Sequence, residues 1–227
     1  MKHEIIVTSD GSHSLYLKNL DEHYHSIHGA IQESVHVFIK AGLHFVAPLH
    51  PAPIHVLEIG FGTGLNALLT AIETKKENWK VNYTSLEAFP LDLELIAKLN
   101  YIQCLNNEAL SAIYLELHQC KWEEEVQVSD EMILLKLKNT LQEVVLPSSF
   151  HLIYFDAFGP RVQPEMWVDE VFAKMFAALT PNGCLVTYCA KGEVKRALKR
   201  AGFEVQTLQG PPGKREMVRA IKHEKEI

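Results

Sequence analysis

The sequence predicts a doubly wound α/β sheet with an antiparallel last strand, preceded by a small N-terminal hairpin and helix cap. Three observations carry this. Apolar strand patterns alternate with amphipathic helical patterns from residue 54 to residue 208, the order that builds a parallel sheet with helices on both faces. Val56-Leu57-Glu58-Ile59-Gly60-Phe61-Gly62-Thr63-Gly64-Leu65-Asn66 reads as a buried strand, a tight turn and a helix start. The last two strand patterns, Phe203–Leu208 and Glu216–Ile221, adjoin across a proline- and glycine-rich loop with no helix between them, which implies an antiparallel pair.

The elements follow in order. Residues 3–18 read as two short strands around Ser9-Asp10-Gly11. Ile31, Val35, Phe38, Ile39 and Leu43 recur at helical spacing over 29–46, and Pro48, Pro51 and Pro53 then break the chain. The cap therefore takes residues 1–50 and the α/β domain 51–227. After the glycine turn, residues 65–74 read as a helix and 81–87 as a strand. Residues 92–101 and 108–119 read as helices, with Pro90 suiting a helix start. Residues 132–137 form the next strand, followed by a short helix up to Val145. Residues 151–156 are a strongly apolar strand ending in Asp156, and 170–179 an amphipathic helix. Pro181-Asn182-Gly183 turns into a strand over 184–188, and a basic helix over 193–201 is capped by Gly202.

Composition bounds the function. The chain has 227 residues, 47% hydrophobic and 22% charged, ordinary for one soluble domain with a sizeable core. No run approaches the roughly 18 apolar residues that span a bilayer, and MKHEIIVTSDG is no secretory leader. Cys104, Cys120, Cys184 and Cys189 show no framework spacing and read as reduced thiols of a cytoplasmic protein. The net charge is −6, yet residues 191–227 hold ten Lys/Arg against five Asp/Glu. That basic segment on an acidic body reads either as a phosphate-binding face or as a solvated helix. Seven of the twelve histidines fall between His23 and His55 without metal-ligand spacing, so no metal is expected.

The glycines of the turn let backbone N–H groups approach a ligand with no Cβ in the way, and the helix start adds partial positive charge. G-x-G-x-G alone serves many nucleotide-binding folds, and a tight turn without ligand is the plain alternative. Glu87 closes the next predicted strand, where a carboxylate accepts both hydroxyls of a ribose. Glu58 beside the turn would repel a pyrophosphate but suits a ligand carrying an ammonium and a sulfonium, S-adenosylmethionine. The antiparallel final pair is typical of a class I S-adenosylmethionine methyltransferase (Rossmann-like) sheet and not of dinucleotide dehydrogenases. Glu58, Glu87 and Asp156 each close a predicted strand, so all three should point into the crevice at the strand carboxyl ends. Asp156 lies where a methyl acceptor should sit, and a carboxylate there can orient an amine and take up its proton. A turn or N-cap residue is the plainer reading of Asp156.

Several blocks then suggest a family. They are Asp21-Glu22-His23-Tyr24-His25-Ser26 with Gly29, Glu33 and Val37-Phe38, the 58–66 loop, and Asp156-Ala-Phe-Gly-Pro-Arg-Val-Gln-Pro-Glu-Met-Trp167. Val194-Lys195-Arg196-Ala-Leu198, Ala201-Gly-Phe203 and Gly213-Lys-Arg-Glu-Met217 complete the set. Nearly end to end, the chain resembles the methyltransferase half of the bifunctional tRNA 5-methylaminomethyl-2-thiouridine biosynthesis family (MnmC) and its stand-alone relatives. The resemblance implies that Glu58, Gly60, Gly62, Gly64, Asn66 and Glu87 bind S-adenosylmethionine and that Asp156 is the acceptor-site acid. It implies further that Tyr24, Glu33, Phe158, Pro164, Met166 and Trp167 belong to the substrate site, with Lys214 and Arg215 contacting tRNA or closing the site. The family usually has an acid near the adenine where this chain has Lys138-Asn139-Thr140, so Asn139 or backbone takes that contact. Gln163 and Ala157 also depart from the usual Asn and Gly.

The sequence runs to Ile227, and no FAD-dependent oxidase half is expected in it. The expected reaction is therefore methylation of the aminomethyl group of 5-aminomethyl-2-thiouridine at the tRNA wobble position. A separate oxidase or another upstream tRNA-modifying enzyme would supply the amine. The alternative is an N-methyltransferase acting on a small-molecule or protein amine. A short-chain reductase is disfavoured, because Tyr188-Cys-Ala-Lys191 has the wrong spacing. A non-catalytic tRNA-binding module is disfavoured by the intact glycine loop and Asp156.

Overall fold

A computed structural model describes residues 3–224 of the chain. It has two sheets. β1 (His3–Val7), β2 (His13–Leu17) and β3 (Glu22–His23) form a small antiparallel sheet in the order β1-β2-β3. The predicted cap helix follows, but its turns are not uniform. An α segment Ala30–Ser34 runs into a π-helical segment Val35–Leu43 and ends in a short α segment His44–Val46. Gly42, in the widened part, lets the helix sit directly on the large sheet: a Cβ there would come within 3.0 Å of Val186 and 3.3 Å of Leu152 and Tyr154.

The large sheet has eight strands in the order β10-β11-β9-β8-β4-β5-β7-β6. They are β4 (Ile54–Ile59), β5 (Val81–Leu86), β6 (Glu125–Ser129), β7 (Met132–Leu137), β8 (Phe150–Phe155), β9 (Leu179–Thr187), β10 (Glu204–Gln209) and β11 (Glu216–Ile221). β7, β5, β4, β8 and β9 are mutually parallel, whereas β6 and β11 run against them; β10, antiparallel to β11, runs in the direction of the five. The chain winds outward from β4 through β5 to β7, then resumes on the other side of β4 with β8 and β9. The switch point therefore lies between β4 and β8, where open α/β sheets bind ligands.

Alternation along the central strands divides the core. Val56, Tyr83, Leu152 and Tyr154 face the layer formed by the cap helix, the helix Leu65–Glu77 and the helix Leu110–Gln119. Leu57, Ile59, Ile153 and Phe155 face the layer formed by the helices Asp169–Ala178 and Gly192–Arg200.

The antiparallel final pair is present as predicted. Three local expectations are corrected and one strand, β6, was not foreseen. Residues 92–101 hold only a short turn of helix, Leu93–Ile96, with a separate one at Tyr101–Cys104. The stretch after β7 makes turns and no helix before Val145. β6, with mostly exposed or half-exposed residues, carries too weak an alternation to be read as a strand. Pro181-Asn182-Gly183 does not interrupt β9 but forms an irregularity within it, where Asn182 has φ 64° and its N–H bonds Lys222 O at 2.7 Å.

The tight seat of Gly42 is testable. Gly42→Val should overpack the cap–sheet contact and lower stability by about 1–3 kcal/mol in urea unfolding. An unchanged midpoint would show that the cap helix yields without cost.

Candidate active site

Strand register sets the level of the site. Ile59 pairs with Leu86 on one side and Phe155 on the other, so Gly60, Glu87 and Asp156 are the first residues beyond three adjacent strand ends. Backbone bonds fix that level: Gly60 N–H to Leu86 O at 2.9 Å, Glu87 N–H to Leu137 O at 3.0 Å and Asp156 N–H to Ile59 O at 3.1 Å. A Cβ on Gly60, whose φ is 92°, would come 3.0 Å from the Asp156 carbonyl. Only glycine lets the chain turn away between β4 and β8.

The turn is clamped through Thr63, which is buried. Its hydroxyl meets His25 Nε2 at 2.9 Å and accepts from Tyr101 Oη at 3.1 Å. Its carbonyl accepts from Tyr114 Oη at 3.0 Å and His118 Nε2 at 3.2 Å. Burial holds both histidines down to about 4, so they are neutral at neutral pH. Glu87 adds a second clamp: its Oε2 accepts from Gly62 N–H at 3.0 Å and its Oε1 from Phe89 N–H at 2.8 Å.

A cavity of about 450 Å³ opens above these strand ends. Of the residues singled out in the sequence, Tyr24, Gly60, Gly62, Asn66, Glu87, Asn139, Asp156, Phe158 and Met166 line it. Tyr24 and Phe158 meet edge to face with ring centroids 5.0 Å apart. Asn66 Nδ2 donates to Asp156 Oδ2 at 2.8 Å, and among the described residues none bonds Asp156 Oδ1. Asp156 faces the cavity yet lies deep. Burial, reinforced by the nearby Glu33 carboxylate, pushes its pKa up to about 7, against the pull of Asn66 and Lys214.

The remaining candidates stand elsewhere. Glu58 does not close its strand: Ile59 does, and Glu58 lies one residue earlier, fully buried under the cavity floor. Gly64 belongs to the turn itself, with φ 70°, and a Cβ there would strike His118. Glu33 is buried behind the site, accepting from Ser26 N–H at 3.0 Å and paired with Lys214, whose ammonium also sits 4.0 Å from the Tyr188 ring centroid. Trp167 packs between Phe155 and Tyr188 and donates Nε1–H to Phe158 O at 2.8 Å, so it braces the cavity wall. Pro164 opens a single 3₁₀ turn, Pro164–Met166, of which Met166 reaches the cavity. Arg215 is solvent-exposed beside Glu216.

The basic C-terminal segment is largely consumed within the fold. Lys195 pairs with Glu216 at 3.1 Å and Arg200 with Asp169 at 2.6 Å. Arg219 bonds Gln206 and Ala41 O with its guanidinium over Phe45. Sequence reasoning missed the Thr63 clamp. The cluster His23–His25 was visible, but nothing in its spacing points to a loop 38 residues away. Among the described residues no three His, Cys, Asp or Glu side chains are grouped to hold a metal ion.

Residues 97–223, more than half of the chain, match the family "S-adenosyl-L-methionine-dependent methyltransferase". The tRNA 5-methylaminomethyl-2-thiouridine biosynthesis bifunctional protein MnmC of Magnetococcus marinus is 30% identical over 218 residues, covering 88% of this chain and 31% of the relative. That of Idiomarina loihiensis is 32% identical over 215 residues, covering 87% of this chain and 35% of the relative. The chain thus spans about a third of the length of the curated relatives it matches. In fold, the crystal structure of MNMC2 from Aquifex aeolicus matches with TM-score 0.78 at 24% identity, over 99% of this chain and 71% of that one. A spermidine synthase from Thermotoga maritima matches with TM-score 0.55 at 15% identity, over 98% and 72%.

The buried carboxyls leave a signature in stability. Glu58 is pushed up to about 8, by burial and by Asp156, and Asp156 to about 7. Between about pH 4 and 6.5 the folded chain holds these protons while the unfolded chain holds those of His25 and His118, so the contributions oppose. Above about 6.5 only the carboxyls remain, the folded state binds more protons, and stability falls as pH rises to about 8. Melting temperature should drop over that window and drop less in Asp156→Asn. An equal slope in the variant would contradict the raised pKa.

Proposed function

The chain belongs to the S-adenosyl-L-methionine-dependent methyltransferase family, and from that premise we propose that it methylates the aminomethyl group of 5-aminomethyl-2-thiouridine at the wobble position of tRNA. The observation that carries the reading is a deep carboxyl, Asp156, titrating near neutrality on the wall of a nucleotide-sized cavity. The names of the MnmC relatives supply the substrate class.

The cavity fits the methyl donor. The Gly60 and Gly62 backbone approaches closely, the Glu87 carboxylate is held rigid for ribose hydroxyls, and Asn139 stands at the far side beside Thr140 and Leu141 for the adenine. When bound, S-adenosylmethionine supplies a methyl group on a positively charged sulfur, open to attack by a lone pair.

The acceptor amine is an ammonium at neutral pH and has no lone pair. Asp156 has the proton affinity to take one proton from it: Asn66 holds Oδ2, and Oδ1 is left to the amine. As the nitrogen–carbon bond forms, the carbon–sulfur bond breaks and S-adenosylhomocysteine leaves; the product ammonium gives up any further proton to water, Asp156 already holding the first. Tyr24, Phe158 and Met166 give an apolar wall for a base splayed out of a single-stranded loop. An oxidase or another upstream tRNA-modifying enzyme would furnish the amine, in the cytoplasm where tRNA resides. With its charges paired inside the fold, the 191–219 segment offers Arg196, Lys199 and Arg215 as phosphate contacts rather than Lys214.

Incubation of the chain with S-adenosylmethionine and tRNA bearing the aminomethyl group should yield the methylaminomethyl nucleoside by mass analysis. tRNA bearing only the carboxymethylaminomethyl group should not react. The wild-type rate should rise with pH through about 7. Asp156→Asn should fold, bind the donor and lose about 10²–10⁴ in single-turnover rate. An unmodified aminomethyl tRNA, with a small or protein amine methylated instead, would contradict the reading.

A further inference from the structure

Glu58 is an acid in a place that offers no cation. It has no exposed surface. Its Oε2 accepts from Ser85 Oγ at 2.6 Å. The groups facing its carboxyl are Ser85 and Tyr83 on β5, Tyr154 on β8, Asp156 just beyond β8, and Asn66 on the helix after the turn. None of them is positively charged. Three oxygens in this pocket are buried and unpaired: Glu58 Oε1, Asn66 Oδ1 and Tyr83 Oη. If Glu58 were ionised, the Tyr83 hydroxyl would be the sole donor among the three, and a second anion would stand near Asp156. As a carboxylic acid, Glu58 adds a donor and removes that repulsion. Asn66 links the two acids, facing Glu58 and donating Nδ2 to Asp156 at 2.8 Å.

We propose that Glu58 is a neutral positioning residue: its acid proton fixes the buried Asn66–Tyr83 cluster, Asn66 in turn aims Asp156 into the cavity, and Glu58 itself does not touch the methyl donor. The effect on turnover rests on the reading of Asp156 given above. The protonation of Glu58 and its distance from the donor do not. Ionisation of Glu58 at about pH 8 should loosen Asn66 and turn the rate down on the alkaline side.

Carboxyl ¹³C NMR titration of the full chain, with calorimetry of donor binding and a pH–rate profile, tests this. Glu58 should be protonated at pH 6.5 in the wild type. Glu58→Gln keeps one donor and one acceptor in place. It should hold S-adenosylmethionine within about threefold of wild type and abolish the fall in rate above about pH 8. A Glu58 carboxyl already ionised at pH 6.5 would overturn the proposal. So would donor affinity weakened more than about tenfold in Glu58→Gln, or an alkaline limb that persists there. If no tRNA is methylated, the titration and calorimetry still decide the role of Glu58, and only the substrate reading falls.

Discussion

The site depends on carboxyl groups placed just beyond β5 and β8 and one residue inside the end of β4, two of which, Asp156 and Glu58, bond no cation among the described residues. Glu58 and Asp156 are both deep, both near Asn66, and both raised toward or above neutrality. Glu87 is held by the Gly62 and Phe89 amides. Burying carboxyls this way is unfavourable in isolation. It is useful where the incoming groups are positive, as the sulfonium donor and the proposed alkylammonium acceptor are. On the reading proposed above Asp156 supplies the negative charge, while the Glu33–Lys214 pair acts on it from behind in both directions, the carboxylate raising its pKa and the ammonium lowering it.

Holding such groups in place requires a rigid frame, and the frame draws on the cap as much as on the sheet. His25 from the N-terminal segment and Tyr101, Tyr114 and His118 from the segments before β6 converge on Thr63. Arg161, from the loop after β8, reaches back to the carbonyls of Leu20 and Asp21 and to Glu22. The cavity is closed by the 158–166 loop on one side and by Leu17, Leu20 and Tyr24 of the cap on the other. The cap is therefore a wall of the cavity.

Much of this was legible in the sequence because it rests on local signals. The glycine turn, the strand–helix alternation and the adjoining last strands each depend on residues close together in the chain. Asp156 and Glu87 were found because both follow an apolar strand directly. Glu58 misled for a reason of register: Ile59 continues β4, so the glycine at position 60, not the acid before it, is the counterpart of Glu87 and Asp156. The Thr63 clamp was invisible because its partners lie 38 to 55 residues away in sequence and carry no periodic signal. Lys195, Lys214 and Arg219 looked like a free basic face until the tertiary partners Glu216, Glu33 and Gln206 appeared.

The central claim, that the buried carboxyl of Asp156 prepares the cavity for positive charge, is tested most directly by comparing two ligands that differ by the methyl group and its sulfonium charge. Calorimetric titrations with S-adenosylmethionine and S-adenosylhomocysteine from about pH 6 to about pH 8.5 isolate that charge, because everything else in the ligands is shared. As Asp156 ionises near pH 7, affinity for the sulfonium ligand should rise relative to the neutral one by about threefold or more. An affinity ratio that stays constant across the range would contradict the account.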